Sequence, residues 1–176
     1  MTTHAGDTPR HPSRPWTAHY TPGTTQELDY GTTTLIDQFD DAVRTYSDRP
    51  ATEFFGRLTP YSEIGVRVRR AAEGLRRLGV KRGDRVAVLL PNCPQGVTVF
   101  YAALRIGAIV VEHNPLYTAD ELEGPFADHG AKVVVTWNVG AGRVRDLAER
   151  PGSAIAHVIA VDLLDELPAV KRLALK

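Results

Sequence analysis

The hydrophobic pattern of the chain changes its period at Gly83, and this change is the strongest constraint on the fold. From there on, four short apolar runs are typical of strands buried on both faces: residues 85–90, 109–111, 133–135 and 155–161. Segments with apolar residues at helical spacing separate these runs, at residues 97–104, 118–126 and 143–150. Because strands and helices alternate, the sequence predicts an α/β fold with one parallel sheet, right-handed crossovers and helices on both faces.

The part of the chain before Gly83 divides at about residue 32. Residues 1–32 are rich in Pro, Gly and Thr and predict a mobile tail followed by an extended arm that docks through Trp16 and Tyr20. Residues 33–176 then form the α/β domain. It opens with a helix capped by Thr34 and Asp37, a near match to a capping box. Two short strands, at 51–55 and 58–61, and a long helix from Ile64 to Leu78 follow.

Composition excludes several classes of function. Lys plus Arg and Asp plus Glu number 21 each, so charge gives no case for nucleic acid or an anionic membrane as the main partner. The single cysteine, Cys93, rules out an internal disulfide. No apolar run approaches the roughly 20 residues that span a bilayer, and the first 15 residues lack the apolar stretch of a signal peptide. A cytoplasmic location is therefore expected.

The loops after the predicted strands carry no standard nucleotide motif. The loop at residues 91–96 reads Pro-Asn-Cys-Pro-Gln-Gly, which lacks the glycine pattern of dinucleotide-binding turns, and no P-loop occurs in the chain. Cys93 and His113 could form a thiol–imidazole pair, but no third group orients them, so a small buried or semi-exposed cysteine is the favoured interpretation. The six histidines show no metal-ligand spacing, and no metal site is predicted.

The loop at residues 113–118, which follows the second strand of the sheet, is predicted to be stiffer than the other loops after the strands. Asn114 precedes Pro115 and is pushed to extended backbone, while Thr118 with Glu121 forms a full capping box for the next helix. Such a stiff lip is either a rigid connection or the wall of a ligand channel, and the sequence leaves both open. Since parallel strands deliver their carboxyl ends to one edge, Asn92 and Asn114 are expected on the same edge of the sheet.

Three stretches resemble the amino-terminal part of the adenylate-forming acyl-CoA synthetases in order and spacing: GDRVAVLLPN (83–92), FYAALRIGA (100–108) and HNPLYT (113–118). DRPA (48–51), AAEGL (71–75) and LGV (78–80) extend the resemblance upstream. The arm with Trp16, Tyr20, Pro22 and Gly23 is similar to the entry segment of the long-chain fatty-acid branch. The resemblance covers about residues 16–161. It implies that the α/β fold is part of the N-terminal domain of an adenylate-forming enzyme.

The resemblance implies a two-step long-chain fatty-acid–CoA ligase. A fatty-acid carboxylate attacks ATP, with Mg²⁺ on the phosphates, to give an acyl-adenylate and pyrophosphate; coenzyme A then displaces AMP to form the thioester. The family's phosphate loop, adenylate motif, ribose-binding Asp and mobile Lys match no position here, so no catalytic, cofactor-binding or metal residue is carried over. The chain is expected to be the N-terminal portion of such a ligase and to be inactive alone.

Asn92, His113 and Asn114, which follow the strands at the shared edge of the sheet, are candidates for the lip of a substrate channel. The fatty acid is the expected partner of the complete enzyme; a homodimer and a peripheral membrane contact stay open. One departure from the family lies at the start of the long helix, where Pro60 stands in place of the usual capping Thr. Thr59 as the cap, with Pro60 as first helical residue, would restore the helix start.

An alternative from another class of protein stays open at this point. A free-standing α/β domain of this kind could bind a nucleotide without chemistry, or act as an interaction or dimerisation module. A phosphate loop in the sequence that continues the chain would decide for the ligase.

Overall fold

The computed structural model describes residues 14–29 and 31–174, which fall into two units on either side of Thr34. In the first unit, Pro15–His19 forms a 3-10 helix, an element that the sequence pattern did not predict. Both the backbone N–H and the hydroxyl of Thr17 donate to the Arg14 carbonyl oxygen, at 3.0 and 2.8 Å. The predicted mobile tail falls mainly on residues 1–13, outside the described residues, and the docking of the arm through Trp16 and Tyr20 stays a prediction.

In its described part the second unit contains six α-helices, six strands and two 3-10 helices, Asn138–Gly140 and Leu163–Glu166. The helices are α1 (Leu35–Thr45), α2 (Tyr61–Arg77), α3 (Pro94–Arg105), α4 (Ala119–His129), α5 (Ala141–Ala148) and α6 (Ala169–Ala174). The strands are β1 (Pro50–Phe54), β2 (Arg57–Pro60), β3 (Arg85–Leu89), β4 (Ile109–Glu112), β5 (Val133–Trp137) and β6 (His157–Val161).

The predicted parallel sheet is confirmed. Its four strands lie in the order β4-β3-β5-β6 and every neighbouring pair is parallel, with α3 crossing between β3 and β4. In the register, Val86 lies between Val110 on β4 and Val133 on β5. The first two strands stay outside this sheet and form a separate antiparallel hairpin, β1–β2.

Alternation along the strands divides the core between the two faces of the sheet. Val86 and Val133 belong to the cluster that contains Ile64 and Val68 of α2. The residues next along each strand, Ala87 and Val134, belong instead to a second cluster that includes buried side chains of α4 and α5. Because successive side chains of a strand point to opposite faces, helices cover the sheet on both sides, as the sequence predicts.

Two helix starts follow the local signals in the sequence. Thr34 accepts from the Asp37 N–H at 3.2 Å, and the Asp37 carboxylate accepts from the Thr34 N–H at 2.9 Å. Thr118 and Glu121 make the same reciprocal pair at the start of α4. Both predicted capping boxes are therefore confirmed. In each box these bonds lower the pKa of the acidic partner, because they stabilise its carboxylate.

The predicted cap of the long helix by Thr59 is wrong. Pro60 occupies the cap position of α2 and makes no side-chain cap bond, while Thr59 is still in β2, paired with Thr52. The first helical N–H groups find other acceptors: Tyr61 donates to the Arg49 carbonyl oxygen and Ser62 to that of Ser47, at 3.0 and 2.9 Å. The turn before β1 thus satisfies the donors that a capping side chain would have satisfied.

Several boundaries differ from the predicted ones by one to three residues, and two of them have a local explanation. Strand β6 begins at His157 rather than residue 155, because the N–H groups of Ala156 and His157 both donate to the Lys132 carbonyl oxygen at the strand's start. Helix α5 begins at Ala141, two residues early, because the 3-10 turn Asn138–Gly140 leads directly into it.

Two glycines of α2 should respond in opposite ways to substitution by alanine. A Cβ at buried Gly65 would meet Val43 Cγ1 of α1 at 2.8 Å, whereas one at exposed Gly74 would meet nothing within 4 Å. We expect Gly65→Ala to lower the free energy of unfolding by about 1–3 kcal/mol through overpacking. Gly74→Ala, the matched control, should raise it by about 0.5–1 kcal/mol through helix propensity. Urea unfolding of both variants measures this, and equal shifts would contradict the close α1–α2 contact.

Candidate functional site

The polar residues singled out by the sequence meet at the carboxyl edge of the sheet. Strands β3 and β4 run parallel and end at Leu89 and Glu112, so the segments that follow them emerge on the same side. Asn92 comes three residues after β3, and Asn114 two residues after β4. The prediction that the two asparagines share one edge is confirmed, and this is the edge at which open α/β sheets hold ligands.

A cleft of about 470 Å³ opens at this edge, between the β1–β2 hairpin and the connection from β3 to α3. Asn92 and Glu112 line it, together with Glu53 from the hairpin and the aromatic rings of Phe54, Phe100 and Tyr101. No Lys, Arg or His is among its lining residues in the described part of the chain. His113 and Asn114 lie just beyond Glu112 in the chain and are not among the described residues that line this cleft. The cleft is therefore apolar and aromatic, with two carboxylates.

Cys93, at the base of the cleft, has a structural position. It is buried and caps the N-terminus of α3, where its Sγ accepts from the Gly96 N–H at 3.4 Å. Burial raises the pKa of the Cys93 thiol, so the protonated form is favoured over the reactive thiolate. No bond joins Cys93 to His113 among the interactions of the described residues. Cys93 is thus buried, in agreement with the interpretation favoured from the sequence.

The lip at residues 113–118 is tied down at several points. The side chain of Asn114 accepts from the Leu116 N–H at 2.9 Å, which closes a tight local turn. Arg143 of α5 donates to two carbonyl oxygens of the lip, those of Pro115 at 2.7 Å and Leu116 at 3.1 Å. Thr118 closes the lip as the cap of α4. The structure gives the lip the stiffness that the sequence indicates.

His113, at the start of the lip, belongs to a cluster of three rings. Its Nε2 lies 3.0 Å from Nε2 of His129, the last residue of α4. The Phe126 ring stacks on His113 with centroids 5.0 Å apart and meets His129 edge-on at 4.6 Å. Burial lowers the pKa of both histidines, and the mutual repulsion of the two rings lowers that of His113 further.

Two residues of this site, Arg143 and His129, do not follow from the sequence pattern. In the sequence Arg143 marks only the start of a predicted helix, and its bonds to the lip depend on how α5 packs beside α4. His129 stands 16 positions after His113, and only the folding of α4 back along the sheet brings the rings together. A weak signal exists for Arg143, since a Pro-containing loop leaves carbonyl oxygens that need donors, but none exists for His129.

Neither a metal-binding group nor a membrane-spanning helix occurs among the described residues. Nowhere in the part of the chain that the structure covers do three or more His, Cys, Asp or Glu side chains form a group able to hold a metal ion. No helix within residues 14–29 and 31–174 has the length and apolar character needed to cross a membrane.

A parallel sheet with helices on both faces and a cleft at its carboxyl edge defines an α/β protein of the ligand-binding type. The chain belongs to the family of AMP-binding enzymes, whose sequence pattern matches residues 39–174. The predicted family and fold are thereby confirmed.

Similarity to individual proteins narrows the family. The chain is 32% identical over 160 residues to a long-chain-fatty-acid–CoA ligase of Bacillus subtilis, with 91% of this chain and 28% of that protein covered. It is 36% identical over 138 residues to a long-chain-fatty-acid–CoA ligase of Escherichia coli, with 78% of this chain and 24% of that protein covered. The crystal structure of the N-terminal domain of FACL13 from Mycobacterium tuberculosis superposes with a TM-score of 0.64 at 25% identity, over 77% of this chain and 34% of that one. The chain thus spans about a quarter of the length of these curated relatives.

Proposed function

We propose that the chain is the N-terminal portion of an ATP-dependent long-chain fatty-acid–CoA ligase. The observation that carries the proposal is the identity of 32–36% to proteins of that name, over 78–91% of the chain. In the proposed reaction, a fatty acid and ATP with Mg²⁺ give an acyl-adenylate and pyrophosphate, and coenzyme A then takes the acyl group and releases AMP. Because ATP and coenzyme A are substrates of cytoplasmic metabolism, we place the enzyme in the cytoplasm.

The described residues do not fit the phosphates of ATP, so we assign no step of the adenylation to them. The cleft at the carboxyl edge carries the carboxylates of Glu53 and Glu112 and no basic side chain to balance a triphosphate. The N-terminus of α3, next to the cleft, is also poorly suited to bind a phosphate. Pro94 has no N–H to donate, and the Gly96 N–H already donates to Cys93 Sγ. The proposal therefore places the phosphate-binding groups in parts of the enzyme other than these residues.

An exposed apolar groove supports a longer enzyme. The groove, of about 620 Å³, runs between α2, α3 and the β5–β6 side of the sheet, and Leu75, Val99 and Val161 are among its lining residues. Gln95 and Glu166 also line it; the buried side-chain oxygen of Gln95 has no hydrogen-bond partner among the described residues, and Glu166 Oε2 has only the Arg57 guanidinium, 3.8 Å away. Buried acceptors of this kind require donors. We propose that the remainder of the ligase, which in the relatives makes up most of the protein, covers this groove and supplies them.

The proposed role of the chain in the site is structural: it forms one wall of the substrate channel. The proposed lip of the channel extends beyond residues 113–118, with their His113 and Asn114, to Asn92, which lines an apolar, aromatic cleft suited to a hydrocarbon chain. The lip is held from three directions, by Arg143, by the turn at Asn114 and by the cap at Thr118. A wall of this rigidity would set the shape of a channel without taking part in the chemistry.

Thioester formation tests the proposal. The complete protein, given ATP, Mg²⁺ and coenzyme A, is expected to convert long-chain fatty acids faster than short-chain or aromatic acids, measured as acyl-CoA by chromatography. In the same assay Asn92→Ala should raise KM for the fatty acid more than it changes kcat, because the lip contributes binding and no chemistry. Val170→Ala, at an exposed position of α6, is the control. A preference for aromatic acids would reject the long-chain assignment, and an unchanged KM in Asn92→Ala would reject the lip.

A further inference from the structure

The tautomers of the His113–His129 pair follow from its neighbours. The N–H of Ala131 donates to His129 Nδ1 at 3.0 Å, so this nitrogen carries a lone pair and the neutral ring has its proton on Nε2. That Nε2–H then donates to His113 Nε2, 3.0 Å away, which must also carry a lone pair. His113 is therefore protonated on Nδ1. One arrangement of protons satisfies both bonds, and in it both rings are neutral.

A proton added to either ring breaks one of these bonds. On His113 Nε2 it would face the Nε2–H of His129 at 3.0 Å, and on His129 Nδ1 it would face the Ala131 N–H at the same distance. Two charged groups near His129 act on its protonation in opposite directions. Asp128 on α4 favours the charged form of the ring, and Arg85 on β3 opposes it. The Phe126 face would attract a cation. Burial is the largest effect on both rings and favours the neutral pair.

The same geometry argues against a metal ion between the rings. Two imidazole nitrogens at 3.0 Å could in principle share a transition metal. A metal on His129 Nε2 would, however, have to replace the proton that the Ala131 bond places there. No third His, Cys, Asp or Glu joins the pair to form a metal-binding group within the described residues. The geometry of the pair therefore fits two neutral rings, protonated on His113 Nδ1 and His129 Nε2, better than it fits a metal ion.

We propose that the His113–His129 pair is a proton-sensitive latch on the lip at the carboxyl edge of the sheet. With both rings neutral, the bond ties the first residue of the lip to the C-terminal end of α4. When the pair takes up a proton, the bond is lost and the side chain of His113 is released, while the His113 N–H keeps its bond to the Val88 carbonyl oxygen at 3.0 Å. Arg143 still holds Pro115 and Leu116, so the opening is confined to the part of the lip nearest to the strand end.

The direction of the pH effect follows from linkage. Folding depresses the pKa of both histidines, so the unfolded or opened state binds more protons than the closed one. The latch is therefore fully closed above the ordinary histidine pKa of about 6.5. Its contribution to stability decreases as the pH falls from there through the depressed values. In that range the opening constant rises by up to about tenfold per pH unit for each proton taken up.

Nuclear magnetic resonance of the 176-residue chain tests the latch. Long-range nitrogen–proton spectra report the tautomers, and amide hydrogen exchange, corrected for intrinsic rates, reports the opening of the lip between about pH 7.5 and 5. We expect Nε2–H on His129, Nδ1–H on His113, and protection of the lip amides that falls as the pair titrates. His157→Asn, at an exposed position of β6, should keep this pH dependence, whereas His129→Asn should remove it.

Three results would overturn the latch: the opposite tautomers, lip protection that does not change while the pair titrates, or stoichiometric Zn²⁺ shifting both rings at neutral pH. The last of these would assign the pair to a metal site. The unsubstituted chain suffices for all three, so the test does not depend on the folding of the variants.

Discussion

Leu122→Ala is expected to lower the free energy of unfolding by about 2–5 kcal/mol, a large share of the stability of a domain of this size. Leu122 is fully buried on α4 and belongs to the cluster that covers one face of the sheet, with Phe126, Val144 and Leu147 among its members. Truncation removes the transfer free energy of the buried atoms and leaves a cavity that α4 and α5 can fill only in part.

Leu116→Ala is the matched control, with the same chemical change six positions earlier. Leu116 lies on the lip with 68% of its surface exposed, so we expect its loss to change stability by less than about 0.5 kcal/mol. The urea concentrations at the unfolding midpoints of the two variants and the unsubstituted chain measure the difference in stability. The comparison requires that the unfolding free energy has the same slope against urea concentration in all three. Equal shifts would show that α4 does not cover the second face of the sheet.

The parts of the fold that the sequence predicted are those governed by local signals or simple periodicity. Thr34 and Thr118 each lie three residues before an acidic partner, and a capping box depends on no other part of the chain. The short valine-rich run in β5 is buried on both faces, and such a run has few alternatives to a central strand. The shared edge of Asn92 and Asn114 followed from parallel pairing alone.

The predictions that failed or were missed depend on contacts between distant elements. Thr59 has the residue type of a cap, yet the preceding turn supplies carbonyl oxygens from Ser47 and Arg49, and no local pattern announces this. Arg143 reaches Pro115 across 28 positions, and only the packing of α5 beside the lip sets this contact. The histidine pair has the same origin, since 16 positions separate His113 from His129 and only the return of α4 along the sheet brings their rings together.

The second large effect concerns catalysis. We expect the 176-residue chain alone to form no acyl-adenylate, although the complete protein does. Adenylyl transfer depends on donors, cations and Mg²⁺ placed around the phosphates. The described cleft has two carboxylates where such a site needs positive charge. Loss of a single well-placed donor typically lowers the rate by about 10²–10³, so a chain without the whole set should show no turnover above background.

Fatty-acid-dependent exchange of labelled pyrophosphate into ATP tests the central claim most directly, because it reports adenylation before coenzyme A is involved. The complete protein and the 176-residue chain are compared at equal concentration, with circular dichroism confirming that the shorter chain is folded. We predict exchange by the complete protein with a long-chain fatty acid and background exchange by the 176 residues. Exchange by the 176 residues would contradict the placement of the catalytic groups elsewhere in the enzyme, and no exchange by the complete protein with any fatty acid would contradict the ligase itself.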